Sequence, residues 1–239
     1  MPQSSKDKLA VVRRQSMTVN EQRLLLAFIR QLPLNVPPLP VESEFVLTVE
    51  QAQELFAPVK DDNISSVMYE AVSALWGRNV QIPLRNGDVL KTSFVSSIVW
   101  GTGQESNKTV AIRFSPQVLP YLYMLKVNFS NSDSLNNVVK LTNFYAVRLY
   151  ELLMGWVGSG RRQGRKSIGI NQLREFLGMG DQYGRITQFR HKVLETAVSQ
   201  INASTDFQLD FEFEKSGRVY KHVMFTWEHN KEKIWENPI

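Results

Sequence analysis

The chain of 239 residues contains no cysteine. That absence excludes disulfide scaffolds, thiol nucleophiles, cysteine zinc fingers and thiolate-held iron–sulfur clusters. Histidine is scarce: His191, His222 and His229 stand in neither an H-x-H nor an H-E-x-x-H spacing, so no locally assembled metal site is expected. There is no G-x-x-x-x-G-K-[ST], which speaks against a P-loop ATPase, and Gly158 to Gly164 is one residue too long for G-x-G-x-x-G and precedes a strand. The longest apolar run, Leu24–Ile29, has six residues, whereas a membrane-spanning helix needs ~20. Met1–Arg14 has no apolar core of signal-peptide length. A cytoplasmic protein with no membrane association, cofactor, metal or catalytic residue is expected.

What is present is an ordinary globular mixture, 43% hydrophobic and 21% charged, enough for one large domain or two small ones. Lys and Arg number 28 against 23 Asp and Glu, and the excess is local. Residues 158–192 hold eight cations (Arg161, Arg162, Arg165, Lys166, Arg174, Arg185, Arg190, Lys192) and two acids, a net of +6, whereas residues 1–140 carry only +2. A concentrated basic stretch in a foldable chain is either a solvated basic loop or the electrostatic footprint of a nucleic-acid binder.

The hydrophobic pattern runs through the same plan twice. Thr18-Val19-Asn20-Glu21 has capping-box spacing and opens a helix through Leu24, Leu25, Phe28 and Leu32. After the proline-rich connection Pro33–Pro40 come a short strand at Phe45-Val46-Leu47 and a second capping box, Thr48 to Gln51. A longer helix follows (Ile64, Val67, Met68, Ala71, Val72, Leu75), then β-rich segments Val80–Leu84, Phe94–Gly101 and Thr109–Phe114, and a closing helix near Gln117–Lys126. Past a polar seam at Asn128–Lys140, a helix from Asn143 to about Trp156 leads through a basic loop to Ile168-Gly169-Ile170. Asn171 is the expected N-cap of a helix through Phe176 and Leu177. The next helix, Arg185–Asn202, precedes a period-two strand, Phe207–Glu214, a turn at Lys215–Arg218 and a partner strand, Val219–Trp227. Leu47 to Glu54 aligns with Ile168 to Glu175. Helix, strand, helix, helix, hairpin is the winged-helix order. The expectation is an α+β fold of two tandem winged-helix domains related by internal duplication: 10–130, 138–230, and flexible ends at 1–9 and 231–239.

In such a unit the second helix enters the major groove. At 100° per residue Ile186, Phe189, Val193, Ala197 and Ile201 form its buried stripe, and Gln188, Lys192, Glu195 and Ser199 the opposite face, with Arg185 and His191 at its margins. Gln188 and Lys192, near the entering end, are the best candidates for base edges. Arg190 falls on the apolar side, so it either snorkels to a phosphate or pairs internally. Arg161, Arg162, Arg165 and Lys166, in a glycine-rich loop, would neutralise phosphates. Lys215 and Arg218 at the hairpin tip, with Lys221 beyond, would form the wing. Each cation alone could equally be a solvated surface residue; the cluster carries the argument.

The first half has a different character. Phe94, Val95, Ile98, Val99 and Trp100 lie in an uncharged, β-prone, proline-free segment. It is an interior strand, a self-associating edge between protomers, or an aggregation hazard. Tyr145 and Tyr150 share a helix with no histidine pair nearby, a poor start for a tyrosine-dependent nicking enzyme.

Three segments resemble a known family: Met17–Ile29 (MTVNEQRLLLAFI), Leu141–Leu153 (LTNFYAVRLYELL) and Phe189–Asn202 (FRHKVLETAVSQIN) with the Phe207–Trp227 hairpin behind it. The chain is similar over about residues 10–230 to the iteron-binding plasmid replication initiators of the RepA/RepB/RepE type. The resemblance implies a non-catalytic bacterial protein whose second winged helix reads double-stranded direct repeats at an origin, through Gln188, Arg190, His191 and Lys192. It also implies a first winged helix for dimerisation and backbone contacts, a homodimer in equilibrium with monomer, autorepression by the dimer, and recruitment of host replication initiator and helicase. The alternatives are a winged-helix transcription repressor without an origin-opening role, a rolling-circle nicking protein, and a self-assembling scaffold.

Overall fold

The computed structural model describes residues 13–14, 17–33, 43–56, 64–83, 86–101, 109–128, 137–138, 140–158 and 162–229. The two ends, the proline-rich connection after Pro33 and residues 129–136 of the seam lie outside them. Contacts divide the chain into two compact units, Met1–Thr142 and Asn143–Ile239.

In the first unit, helix α1 (Val19–Gln31) starts at Thr18. The capping box closes in both directions: the Glu21 amide donates to Thr18 Oγ1 at 3.2 Å and the Thr18 amide to Glu21 Oε2 at 2.5 Å. Strand β2 (Phe45–Thr48) runs into α2 (Val49–Phe56) through the second box, in which the Gln51 amide meets Thr48 Oγ1 at 3.1 Å and the Thr48 amide meets Gln51 Oε1 at 3.0 Å. Helix α3 (Ile64–Trp76) follows, burying Met68, Ala71, Val72 and Leu75. The chain continues as β3 (Asn79–Pro83), β4 (Val89–Ser93), β5 (Val95–Trp100), β6 (Thr109–Phe114) and α4 (Leu119–Asn128). Strand β4 has no counterpart in the sequence reading, because none of its five side chains is buried and its alternation is silent. A two-residue strand, β1 (Arg13–Arg14), completes the β1-β3-β4 sheet, and β2, β6 and β5 form a second antiparallel sheet in the order β2-β6-β5.

In the second unit, α5 (Phe144–Val157) is capped by Asn143, whose Oδ1 accepts from the amides of Tyr145 and Ala146. Then come β7 (Gln163–Gly169) and α6 (Ile170–Phe176). A continuous helix over 186–204, α7, is α-helical at Ile186–Gln188, π-helical at Phe189–Glu195 and α-helical again at Thr196–Ser204. Strands β8 (Phe207–Ser216) and β9 (Val219–His229) close the unit as a long hairpin. The core packs Phe189, Val193, Leu194, Ala197 and Ile201 of α7 among Leu149, Tyr150 and Leu153 of α5 and Leu209, Val223 and Phe225 of the hairpin. Full burial of such a side chain contributes about 1.5–3 kcal/mol.

The second sheet order, β7-β9-β8, repeats β2-β6-β5 strand for strand. Each unit therefore has a helix, a short strand, two helices and a hairpin, with the strand paired to the returning arm of that hairpin. The β3–β4 hairpin is an insertion in the first unit between α3 and β5. This is a pair of tandem winged helices.

Three local expectations need correction. Asn171 does not cap α6: the N-cap is Gly169, with no side-chain hydrogen bond, and Asn171 lies inside the helix. The basic loop is in large part strand β7, hidden from period-two reading because Ile168 is its one buried side chain and Gly164, against the Trp227 ring, has none. The recognition-helix candidate is not uniformly α-helical, so its phase drifts from 100° per residue through 189–195.

Candidate nucleic-acid interface

The interface candidates converge on α7 and the hairpin behind it. The buried stripe of α7 holds the helix against the hairpin, and the π segment brings Arg190, His191, Lys192 and Glu195 all to the surface. Arg185 and Gln188, at the entering end, are exposed as well. His191 Nδ1 lies 2.7 Å from Glu195 Oε2, and Thr196 Oγ1 donates to the His191 carbonyl at 3.1 Å, a five-residue reach that the wide π turn brings into register.

Arg190 resolves its awkward phase without entering the core. A π turn rotates less per residue than an α turn, so the side chain emerges beside the hairpin instead of over the buried stripe. Its guanidinium lies over the Phe213 and Phe211 rings, at 5.1 and 5.7 Å from their centroids, and 3.9 Å from Glu195 Oε1. The stack continues outward: Phe213 meets Tyr220 edge to face, and Lys215 Nζ sits 4.9 Å above the Tyr220 ring. Recognition helix and wing are thus joined by a line of aromatic rings with a cation at each end. At the tip, Gly217 takes φ +66°, the left-handed turn position that favours glycine, and Lys215, Arg218 and Lys221 are exposed around it.

The other basic candidates separate. Arg161 lies outside the described residues, and Arg162 is exposed just before β7. Arg165 and Lys166, expected to act together from a loop, are neighbours on a strand and so face opposite sides of the sheet. Arg165 lines an open cavity of about 570 Å³ with Asp210, Thr226 and Glu228, on the sheet face where Ser167 Oγ donates to Glu214. Its surroundings there are acidic. Lys166 lies level with Phe225, on the opposite face of the sheet, and is exposed.

In the sequence Arg174 stands out only as one cation of the basic stretch. It is half-buried, and donates from Nη1 to the Tyr183 carbonyl at 2.8 Å and from Nη2 to the Gln182 carbonyl at 2.5 Å. The C-terminal position of Arg174 on α6, eight and nine residues before those carbonyls, is the signal that could have placed it on the turn. Tyr145 reaches the same turn from α5, and burial, with Tyr183 beside it, pushes its phenol above the ordinary tyrosine value against the opposing pull of Arg174. Tyr150 is fully buried. Among the described residues no group of three or more His, Asp or Glu is placed to hold a metal ion.

The segment singled out for self-association divides too. Phe94 and Val95 are core residues, buried within their own unit, and so are not available as contacts. Trp100 stacks on Tyr69 of α3 with centroids 4.7 Å apart. Ile98 is half-buried and Val99 exposed. Among the described residues, strand β5 is an edge of its sheet, paired only with β6.

A winged-helix unit whose second helix presents cations beside a basic wing tip defines a class, the winged-helix nucleic-acid-binding proteins. Family comparison places the chain within it. Residues 5–154 match the first winged helix of the initiator replication proteins (Initiator Replication protein, WH1), and residues 169–227 match the second (Initiator Rep protein, WH2). The chain belongs to this replication initiator family. In fold it is similar to the Pi initiator protein, solved in complex with iteron DNA: TM-score 0.72, 16% identity, 93% of this chain and 98% of that one covered. It is also similar to domains 2 and 3 of RctB, with TM-score 0.53, 12% identity, and 90% and 84% of the two chains covered. No described helix is long and apolar enough to cross a membrane.

Proposed function

We propose that this chain starts plasmid replication by binding directly repeated double-stranded DNA, iterons, at an origin, with α7 in the major groove and the Lys215–Arg218 turn as the wing. The observation that carries the reading is the exposure together of Arg185, Gln188, His191 and Lys192 on α7 and of Lys215, Arg218 and Lys221 at the wing tip. The fold shared with the Pi initiator, which was solved on iteron DNA, supports it. Gln188 and Lys192 read base edges; Arg162, Arg185, Arg218 and Lys221 neutralise phosphates. Residues 138–230 form the sequence-reading domain, and residues 10–130 dimerise and add backbone contacts.

The same reading extends to assembly. The outer edge of β5, unpaired among the described residues and carrying Ile98, Val99 and Trp100, pairs protomers into a dimer that represses its own promoter, in equilibrium with an initiating monomer. The protein acts in the bacterial cytoplasm without chemistry of its own, recruiting host initiator and helicase.

The test is fluorescence anisotropy of labelled duplexes, direct repeats from DNA flanking the gene against random sequence, at several salt concentrations. The expected result is repeat-specific binding with a steep salt dependence, the preference disappearing in the double variant Gln188→Ala, Lys192→Ala. Loss of each base contact should cost about 1–3 kcal/mol of discrimination. Equal, weak binding of both duplexes would overturn the reading.

A further inference from the structure

We propose that Arg174 is a positioning residue: it braces the turn between α6 and α7 and so sets the angle at which α7 presents Gln188 and Lys192. The inference rests on the DNA-binding reading above and adds to it a residue that touches no DNA.

Two features show that the turn is held from outside. Arg185, the N-cap of α7, makes no side-chain capping bond, so the start of the recognition helix is not fixed by its own sequence. The turn also passes through left-handed backbone at Gly178 (φ +67°), Gly180 (φ +53°) and Tyr183 (φ +52°). Glycine adopts this readily; a tyrosine holds it only where its surroundings over-determine it.

Arg174 supplies that determination. Its two terminal nitrogens grip consecutive carbonyls, Gln182 and Tyr183, three and two residues before the helix cap. The face of the same guanidinium lies 5.4 Å from the centroid of Phe189, the first fully buried residue of α7. One planar group thus ties the last turn of α6 to both the turn and the root of the recognition helix. From the other side, Tyr145 packs edge to face on Tyr183, with centroids 6.3 Å apart, and its hydroxyl donates to Gln182 Oε1 at 3.3 Å. A lysine would keep the charge of Arg174 but not the fork.

The experiment uses the full chain, a duplex selected by the native chain from a randomised pool, and a scrambled duplex of the same composition, titrated by anisotropy across a salt series. Arg174→Lys should lower the selected-to-scrambled affinity ratio roughly tenfold or more, while the slope of log affinity against log salt stays native. In the free protein, amide exchange should quicken over 182–189 and stay native in α5 and β9. Arg174→Ala should go further in the same direction; where it fails to fold, Arg174→Lys decides alone. The proposal is overturned by a native ratio in Arg174→Lys with Arg174→Ala weakening both duplexes alike and lowering the salt slope by about one, the mark of a phosphate contact. Native exchange over 182–189 in Arg174→Lys overturns it equally. If the native chain selects no duplex, the DNA-binding reading fails, and exchange still decides whether Arg174 braces the turn.

Discussion

Helices α3 and α7 occupy the same place in the same topology and present opposite chemistries. Each follows a short strand and a short helix, and each buries an apolar stripe ahead of a hairpin. Helix α3 contains neither lysine nor arginine and exposes Tyr69, Glu70, Ser73 and Trp76. Helix α7 exposes Gln188, Arg190, His191 and Lys192. The buried face determines that a winged helix forms; the outer face determines what it meets, and the two are free to change independently. The opening helices carry the same lesson inward. Arg23 of α1 and Arg148 of α5 both lie five residues past their N-caps, and both are buried. Arg148 is ion-paired to Glu151, donates to the Phe176 carbonyl at 2.6 Å and lies over the Phe176 ring. Arg23 donates to the Leu141 carbonyl at 2.9 Å, and burial pulls its guanidinium below the ordinary arginine value.

The sharpest way to break the parallel is to remove both arginines conservatively. Arg148→Met leaves Glu151 buried without its cation and should cost about 3 kcal/mol. Arg23→Met removes a desolvated charge facing a neutral carbonyl and should stay within ~1.5 kcal/mol of native. Urea unfolding of the full chain measures both, and equal costs would mean that the two positions do the same work. A smaller change would make the halves more alike. Gly169 aligns with Thr48, and Gln172 stands three residues on, as Gln51 does. A Cβ at Gly169 would meet only Gln172 Cβ, at 3.9 Å. Gly169→Ser should therefore complete a capping box and stabilise the second unit by roughly 0.5 kcal/mol, read as a higher melting temperature; no gain would show that β7 already fixes the start of α6. The smallest effect is expected on α3. The double variant Tyr69→Ala, Trp76→Ala should leave repeat preference and salt slope unchanged in the anisotropy assay, and a flattened slope would place α3 on DNA.

Much of this was legible in the residues. Both capping boxes, the long hairpin and the buried stripe of α7 follow from local spacing, because one face of each element meets a core and the other meets water. What escaped had no such contrast. Strand β4 buries nothing, and β7 turns a glycine toward Trp227 where a period-two strand would show an apolar side chain. Arg174 reads only as one more cation of the basic stretch, and the phase of Arg190 leaves phosphate and internal pairing both open, because composition cannot distinguish a cation aimed at phosphate from one bound to a carbonyl or an aromatic ring. The partition of Phe94–Trp100 into two core residues and an open edge depends on the β5–β6 pairing, with its register shift between Val95 and Ser97, which no local pattern encodes.

The π segment gives α7 a property that neither α3 nor an ordinary helix has. An α-helix keeps one clock from end to end, so a residue lost anywhere turns everything on one side of it by about 100°. In α7 the wide turns at Phe189–Glu195 already hold slack of this kind, between an entering end carrying Arg185 and Gln188 and a trailing end locked into the core by Ala197 and Ile201. Shortening the segment by one residue would let it tighten into α-helix, so the change would be absorbed between Phe189 and Glu195 and the two ends would keep their facing. This stretch is thus a buffer: a residue gained or lost within it is taken up locally, by repacking Phe189, Val193 and Leu194 and shifting His191 and Lys192, while Arg185 and Gln188 stay aimed.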